Sequence, residues 1–158
     1  MEHSINDLRI RRMSAGDMDS LAYIERQCFS RPWSASEFAH LVGEKDALYL
    51  VAEIIDEDAN RQIVGTAGMR MVCGEGDIDN VAVLPAYRNM GIASALLKAL
   101  LELGRESGLE EFTLEVRVSN VPAIKVYEKV GFVSEGIRPG FYEDPKEDAS
   151  IMWIRKKA

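Results

Sequence analysis

The stretch from Asn80 to Leu97 constrains the fold of this chain more than any other segment. It begins as an apolar strand, turns at Pro85, and passes through a short loop, Arg88–Ala93, into an amphipathic helix. The first N–H groups of a helix have no partner within the helix, and the helix dipole makes that end positive. The segment therefore predicts a strand–loop–helix unit whose loop binds an anion, typically a phosphate group.

Two residues of this loop favour an anion site. Gly91 has no side chain, so a ligand is able to approach the backbone closely, and Arg88 adds a forked cation at the mouth of the loop. The loop has neither the Gly-Lys-Ser/Thr ending of nucleoside-triphosphate loops nor the Gly-x-Gly-x-x-Gly of dinucleotide folds. The alternative interpretation is an ordinary strand–turn–helix in which Gly91 only relieves a tight turn.

The loop reads Arg-x-x-Gly-x-Ala, which resembles the pyrophosphate-binding signature (Gln/Arg-x-x-Gly-x-Gly/Ala) of the GNAT acetyltransferase superfamily. That resemblance implies acetyl-coenzyme A (acetyl-CoA) as the co-substrate. It further implies that the loop holds the pyrophosphate and that the preceding strand pairs with the pantetheine arm. The residues implied to bind the cofactor are Val81, Ala82, Val83, Arg88, Asn89, Met90, Gly91, Ile92, Ala93, Ser94 and Asn120.

Apolar periodicity along the whole chain predicts alternating strands and helices. The element order β-α-α-β-β-β-α-β-α-β-β contains one strand–helix–strand unit, which implies parallel pairing with a right-handed crossover, and hairpins, which imply antiparallel pairing. We predict an α/β (α+β) fold in one domain over residues 1–158, with a mixed, mostly antiparallel sheet and helices on both faces. A GNAT domain has the same order. The predicted strands are 8–13, 48–55, 62–72, 77–84, 112–118, 132–137 and 149–154. The predicted helices begin at Ser14, with Phe29 on its inward face, at Ser34, which forms a capping box with Glu37, at Gly91, from which the helix runs to Ser107, and at Asn120. Gly74 and Gly76 mark a turn, His40 is expected at the surface of the second helix, and His3 is expected in a flexible N-terminal segment.

Two later segments narrow the resemblance. Leu114-Glu-Val-Arg-Val-Ser-Asn120 and the Tyr-Glu-x-x-Gly-Phe motif ending at Phe132, together with Pro32-Trp33-Ser34, resemble the RimI-type alanine N-acetyltransferases. Members of that family acetylate the N-terminal alanine of a small-subunit ribosomal protein. The resemblance implies that Glu115 is the proton acceptor and Tyr127 the proton donor.

The chemistry of acyl transfer suits both roles. A protonated amine is not a nucleophile, so transfer to it needs a base, and Glu115 alternates away from its apolar neighbours on the strand. A tyrosine hydroxyl, with a pKa of about 10, is a plausible donor to a leaving thiolate. Three alternatives stay open. In the first, Glu115 forms only a surface pair with Arg117. In the second, Tyr127 is a core residue whose hydroxyl bonds to a carbonyl. In the third, Asn120 only caps the helix that begins at Val121.

Aromatic residues predict the acceptor side. The resemblance implies that Trp33, in the linker before the second helix, and Phe141 and Tyr142, beside the final hairpin turn, flank the acceptor groove. An α-amine has a pKa of about 8 and a lysine about 10.4, so freeing the lysine amine costs roughly 3–4 kcal/mol more. We predict transfer to the α-amine of a protein N-terminus. The alternatives are a small-molecule amine, such as a polyamine or an aminoglycoside, and a noncatalytic acetyl-CoA-binding module.

Bulk composition limits partners and location. The 158 residues carry a net charge of −7, which argues against nucleic acid and is compatible with a cationic acceptor or simply with a solvated acidic surface. Two cysteines and two histidines, His3 and His40, give no zinc spacing, so we expect no metal, and Cys28 and Cys73 are not expected to carry the acetyl group. No apolar run approaches 18 residues, so we expect no membrane partner and a cytoplasmic protein.

Overall fold

A seven-stranded sheet with strand order β1-β2-β3-β4-β5-β7-β6 forms the centre of the molecule in a computed structural model that describes residues 7–157. The element order is the predicted one, with short 3-10 turns added at Ala15–Asp17 and Pro85–Tyr87. The strands are β1 (Leu8–Arg12), β2 (Ala47–Ile55), β3 (Arg61–Val72), β4 (Glu75–Val83), β5 (Glu111–Arg117), β6 (Val133–Tyr142) and β7 (Glu147–Ile154). The helices are α1 (Met18–Cys28), α2 (Ala35–Ala39), α3 (Ile92–Glu106) and α4 (Val121–Lys129).

The only parallel pair of the described sheet joins β4 to β5, and all other neighbouring strands are antiparallel. The predicted parallel pairing around α3 is therefore confirmed. Three residue pairs hold β4 to β5, and the last of them is Asp77 with Thr113. Beyond that pair no described residues pair across the two strands, so β4 and β5 separate there. This separation opens the sheet at its middle.

Helices cover both faces of the sheet, as the sequence predicts. Alternate residues of β2 divide between two clusters, because successive side chains of a strand point to opposite faces. Leu48 and Leu50 pack in the main core with Leu96 and Leu100 of α3. Tyr49 and Val51 pack on the other face, in a smaller cluster with Leu21 of α1, Phe38 of α2 and Leu41. The predicted mixed, mostly antiparallel fold is confirmed.

Helix α3 lies close to the sheet where Gly104 meets β5. A Cβ at Gly104 would lie 2.7 Å from Phe112 Cε1 and from Met69 Cε, so any larger residue would push the helix away. The helix ends at Glu106 with Ser107 as its C-cap, and Gly108 follows with a φ of +94°, which a glycine adopts without strain. The predicted helix, 91–107, is correct to within a residue at each end.

Four details differ from the predictions. Phe29 was expected to point inward, but it is 39% exposed, because α1 ends at Cys28 and Phe29 has an extended backbone. Gly76 lies inside β4 instead of in the preceding turn, and β6 continues five residues past Ile137 to Tyr142. Ser34 caps α2 by accepting from the Glu37 N–H, but the reciprocal contact of the predicted capping box is not among the described hydrogen bonds.

The remaining expectations concern the histidines and membrane contact. His40 is exposed at the end of α2, as expected, whereas His3 lies outside the described residues. Among residues 7–157, every helix is too short or too polar to cross a bilayer.

Candidate active site

A cavity of about 740 Å³ occupies the gap between β4 and β5. Its walls come from both strands and from α1, α4, the segment between α1 and α2, and the end of β6. The structure brings together seven of the predicted site residues from distant parts of the chain. Those that line the cavity are Trp33, Val81, Glu115, Asn120, Tyr127, Phe141 and Tyr142.

Glu115 lines the cavity from β5, where its side chain alternates with those of the buried core residues Leu114 and Val116. Burial and the nearby charge of Asp77 raise the pKa of the Glu115 carboxyl, although Arg138, 3.6 Å away, lowers it. Arg117 pairs with Glu147 at 3.3 Å instead of with Glu115, so the surface-pair alternative is not observed. A carboxylate with a raised pKa is a stronger base.

Tyr127 reaches the cavity from α4, and only 8% of its surface is exposed. Its ring packs edge-on against Phe132, with 6.0 Å between centroids. The hydroxyl donates to none of the described residues, so the alternative of a core tyrosine bonded to a carbonyl is not seen. Burial and the proximity of Tyr142 raise the pKa of the Tyr127 hydroxyl, which keeps its proton in place at neutral pH.

The loop before α3 provides a cradle for an anion. Gly91 caps the helix with a φ of +80°, and the first backbone N–H to bond within the helix is that of Ala95, which donates to the Gly91 carbonyl at 3.0 Å. Within the described chain, the N–H groups of residues 89–94 donate no backbone hydrogen bond. The Ser94 hydroxyl is also buried without a partner there. These donors fit a pyrophosphate group.

Other predicted cofactor residues lie around this loop rather than on the cavity wall. Ala82 and Val83 are buried in β4, and Ile92 is buried in α3. The Arg88 side chain folds back toward the strand, where its Nε donates to the Val83 carbonyl at 3.1 Å. Contact between Arg88 and a phosphate therefore stays a prediction, as does contact of Asn89, Met90 and Ala93 with the cofactor.

Asn120 is confirmed as the cap of α4. Its side-chain oxygen accepts from the Ala123 N–H at 3.3 Å, and Pro122 follows in the first turn. Asn120 also lines the cavity. Its contact with the cofactor stays a prediction, and capping does not exclude that contact.

The opposite end of the cavity has aromatic walls. Trp33 packs against Phe38 at 5.3 Å, and Phe141 meets Tyr142 edge-on at 5.0 Å between ring centroids. Arg31 joins the two sides of this end. Its guanidinium contacts the side chains of Glu143 (3.1 Å) and Asp144 (2.6 Å) in the turn between β6 and β7.

Comparison with known proteins identifies the fold and the chemistry. The acetyltransferase (GNAT) family matches residues 18–132. This chain belongs to the GNAT family. As a GNAT enzyme it is an N-acetyltransferase, and the resemblance predicted from the sequence is confirmed.

Two relatives and two solved structures resemble this GNAT enzyme over nearly its whole length. The [ribosomal protein bS18]-alanine N-acetyltransferase of Haemophilus influenzae is 36% identical over 146 residues, covering 90% of this chain and 95% of that protein. The Escherichia coli protein of the same name is 34% identical, covering 90% and 94%. The crystal structure of the E. coli ribosomal-protein-S18-alanine N-acetyltransferase matches with TM-score 0.80, 30% identity and 96% coverage of each chain. Ard1 from Thermoplasma volcanium matches with TM-score 0.83, 28% identity and coverage of 96% and 99%.

Sequence reasoning missed several cavity residues of this GNAT enzyme, chiefly Glu25, Arg31 and Asp79. A signal existed for one of them. Glu25 follows Leu21 by four residues on the buried face of an amphipathic helix, where a charge is unexpected. Asp79 gave none, because Asp77 and Asp79 alternate with the buried Ile78 as on an ordinary solvent-facing strand. Arg31 gave no signal, because its partners are more than a hundred residues away.

Cys28 also lines the cavity, which the sequence did not suggest. Its thiol contacts the Val83 carbonyl at 3.5 Å, and burial raises its pKa. A raised pKa leaves less thiolate and therefore a weaker nucleophile. Both Cys28 and Cys73 are free thiols. For metals, residues 7–157 contain no cluster of three or more His, Cys, Asp or Glu residues that could hold an ion.

Proposed function

We propose that this GNAT enzyme transfers the acetyl group of acetyl-CoA to the α-amine of a protein N-terminus, namely the N-terminal alanine of ribosomal protein bS18. One observation carries the proposal. Glu115 and Tyr127 line a single cavity that has an aromatic acceptor end. Relatives that are 34–36% identical carry the name [ribosomal protein bS18]-alanine N-acetyltransferase, which supports this acceptor.

The donor side would hold acetyl-CoA through this chain's backbone. The free N–H groups of residues 89–94 and the Ser94 hydroxyl offer donors to the pyrophosphate. Val81 to Val83 present a strand edge to the pantetheine arm, because β4 leaves β5 beyond Asp77. Asn120, which lines the same cavity, would contact that arm. When bound, acetyl-CoA supplies the thioester that undergoes substitution.

The reaction proceeds by direct transfer in a ternary complex. Glu115 accepts a proton from the acceptor's ammonium group, directly or through a water molecule. The free amine attacks the thioester carbonyl, a C–N bond forms, and the C–S bond breaks. Tyr127 donates its proton to the leaving thiolate, and the second proton, lost by the new amide nitrogen, restores the tyrosine hydroxyl. The raised pKa of Glu115 suits a base, and the raised pKa of Tyr127 keeps its hydroxyl protonated until the thiolate forms, although it also makes the hydroxyl a weaker acid.

The acceptor side favours an extended N-terminus with a small first residue. Trp33, Phe141 and Tyr142 give aromatic walls, and ion pairs join Arg31 to Glu143 and Asp144 beside them. An α-amine also loses its proton more readily than a lysine.

We further infer the setting of this activity. All seven strands belong to one sheet, which supports a single catalytic domain spanning the chain. The free thiols Cys28 and Cys73 suit a reducing cytoplasm. A net charge of −7 does not favour nucleic acid as a partner. The proposed reaction has no step that uses a metal ion.

A panel of acceptors tests the proposal. The enzyme is incubated with acetyl-CoA and either peptides beginning with Ala, Ser or Leu, N-terminally blocked lysine peptides, or spermidine, and thiol release is followed. We expect the Ala peptide, with the sequence of the bS18 N-terminus, to react fastest. Faster use of spermidine than of any peptide would instead favour a small-molecule acetyltransferase.

A further inference from the structure

The acceptor end of the cavity contains carboxylates that the transfer chemistry does not use. Glu25 of α1 and Asp79 of β4 line the same cavity as Glu115. Asp77, two residues before Asp79 on β4, raises the pKa of both Asp79 and Glu115 through its charge. Carboxylates gathered in one place repel one another, and a cation bound among them relieves that repulsion.

Glu25 contributes an acceptor atom without a donor. The residue is 1% exposed, and its Oε1 accepts from the Trp33 N–H at 2.9 Å. Its Oε2 is buried and has no hydrogen-bond partner within residues 7–157. Burial raises the pKa of Glu25, and the Trp33 N–H and the Asn80 side chain oppose that shift, but Asn80 makes no hydrogen bond to Oε2. A buried carboxylate oxygen left without a donor is unfavourable, so a donor from a ligand would stabilise it.

Asp79 is held in one orientation by Tyr49. The Tyr49 hydroxyl lies 2.6 Å from Asp79 Oδ1, and the two residues stand on opposite sides of Gly68 in neighbouring strands. The Tyr49 ring crosses above Gly68, where a Cβ would lie 2.1 Å from two ring carbons. Only a glycine at this position lets the ring span β3. The hydrogen bond engages Oδ1, and Asp79 also lines the cavity.

The charges around Asp79 come from four elements. Burial is the largest influence on the pKa of Asp79 and raises it, as do the charges of Asp77 and Glu25. Tyr49 and Arg70 oppose this shift, and the resulting pKa is about 6. Asp79 is therefore mostly ionised at pH 7.5. A buried anion next to a second carboxylate attracts a cationic group strongly, because little solvent screens the interaction.

We propose that Asp79 and Glu25 form a cation subsite that binds the acceptor's protonated α-amine before Glu115 removes the proton. The inference rests on the proposed function, since it assigns the groups that receive the α-amine. A primary ammonium has three N–H donors and no acceptor, which suits the unpartnered Glu25 Oε2 and the carboxylate of Asp79 in the same cavity. The Trp33 N–H bond to Glu25 fixes the wall beside this subsite. The subsite thus selects an acceptor by the charge on its first atom.

Calorimetry with a matched pair of peptides tests the subsite. The ligands are an Ala-initiated peptide and the same peptide with a propanoyl group in place of alanyl, which lacks only the ammonium group. Each is titrated at pH 7.5 into the enzyme saturated with CoA, so that no reaction occurs. We expect the wild-type enzyme to bind the ammonium peptide about 10- to 100-fold more tightly, as for hydrogen bonds to charged groups. In Asp79→Asn, which keeps an oxygen for Tyr49, that ratio should fall to within about threefold of unity.

Two further variants sharpen the result. Asp58→Asn removes the same charge in the exposed turn between β2 and β3, outside the cavity, and should keep the wild-type ratio. Tyr49→Phe keeps the Asp79 carboxylate but removes the hydrogen bond that orients it, so the affinity ratio should fall part of the way toward unity. If Asp79→Asn does not bind CoA, the Tyr49→Phe ratio tests the subsite instead. An unchanged ratio in Asp79→Asn, or equal binding of the two peptides by the wild-type enzyme, would overturn the subsite.

The same experiment separates this inference from the proposed function. Mass spectrometry after adding acetyl-CoA shows whether the wild-type enzyme acetylates the Ala peptide at all. Acetylation with an unchanged ratio in Asp79→Asn refutes only the subsite. Absence of acetylation refutes the proposed function and with it the subsite's assigned ligand.

Discussion

The Tyr49 hydroxyl donates a 2.6 Å hydrogen bond to Asp79 across Gly68 and so fixes a buried carboxylate at the acceptor end of the cavity. This arrangement has a consequence for stability. Burial and neighbouring carboxylates raise the pKa of Asp79 to about 6 from its ordinary 3.8, although Tyr49 opposes the shift. The folded protein therefore binds this proton more tightly than the unfolded chain does. The resulting stability is present below pH 4 and lost as pH rises through about 6.

Asp79→Asn should accordingly stabilise the fold near neutral pH. The substitution removes the buried charge and should increase the free energy of unfolding by about 1–3 kcal/mol at pH 7.5, at 1.36 kcal/mol per pKa unit. The gain should shrink between pH 6 and pH 4, because the wild-type carboxyl is then protonated. Urea denaturation across pH 4–8 measures the difference. A gain that is the same at pH 4 and pH 8 would show that charge is not its cause.

Tyr127→Phe should reduce turnover and leave cofactor binding unchanged. The ring keeps its packing against Phe132, while the proton for the leaving thiolate is lost. We expect kcat to fall by about 10²- to 10⁴-fold, the usual contribution of a general acid or base. Stopped-flow thiol release gives kcat, and calorimetry with CoA checks binding. Tyr23→Phe, on an exposed part of α1, is the matched control and should behave as the wild-type enzyme. Wild-type turnover in Tyr127→Phe would leave only a packing role.

Glu115→Gln should lose activity most severely at low pH. At pH 7 we expect a loss of about 10²- to 10⁴-fold, since the acceptor must arrive already deprotonated. The deficit should shrink toward pH 9, as the free α-amine becomes abundant. In the wild-type enzyme, the raised pKa of Glu115 predicts that activity falls as pH drops through a value above its ordinary 4.5. Rate profiles over pH 5–9 measure both effects, with Glu57→Gln in an exposed turn as control. A deficit that does not change with pH would exclude Glu115 as the base.

The sequence alone predicted the fold and the two ends of the site for separable reasons. Elements with strong periodicity, such as α3 and β2, were predicted almost to the residue, because burial of one face fixes their pattern. Glu115 and Tyr127 were predicted as catalytic residues because each lies in a segment that resembles a family motif, and the structure brings both to one cavity. Their meeting in one cavity required the separation of β4 from β5, which only the ladder reveals.

The remaining parts of the site depend on contacts between distant elements. Asp79 owes its environment to Tyr49, which lies thirty residues away, and to the absence of a side chain at Gly68. Arg31 contacts Glu143 and Asp144, which lie more than a hundred residues later in the chain. Phe29 was placed wrongly because helical periodicity does not show where a helix ends. No local pattern encodes these relationships.

Gly91→Glu should abolish CoA binding. The added carboxylate would occupy the anion cradle before α3 and repel the pyrophosphate. Gly43→Glu is the matched control, because Gly43 has nearly the same φ (+81° against +80°) and has open space around it. Both variants bear the same backbone strain, but only Gly91→Glu should lose the calorimetric signal with CoA. Equal binding by the two variants would remove the loop from the site.

Transfer to a protein α-amine is the central claim, and one peptide tests it directly. The peptide begins with a free Ala and contains one internal lysine, so both kinds of amine are present at the same concentration. Fragmentation mass spectrometry after brief incubation with enzyme and acetyl-CoA assigns the acetyl group to one nitrogen or the other. The account predicts acetylation of the alanine α-amine, with the lysine left unmodified. Acetylation mainly on the lysine would contradict it.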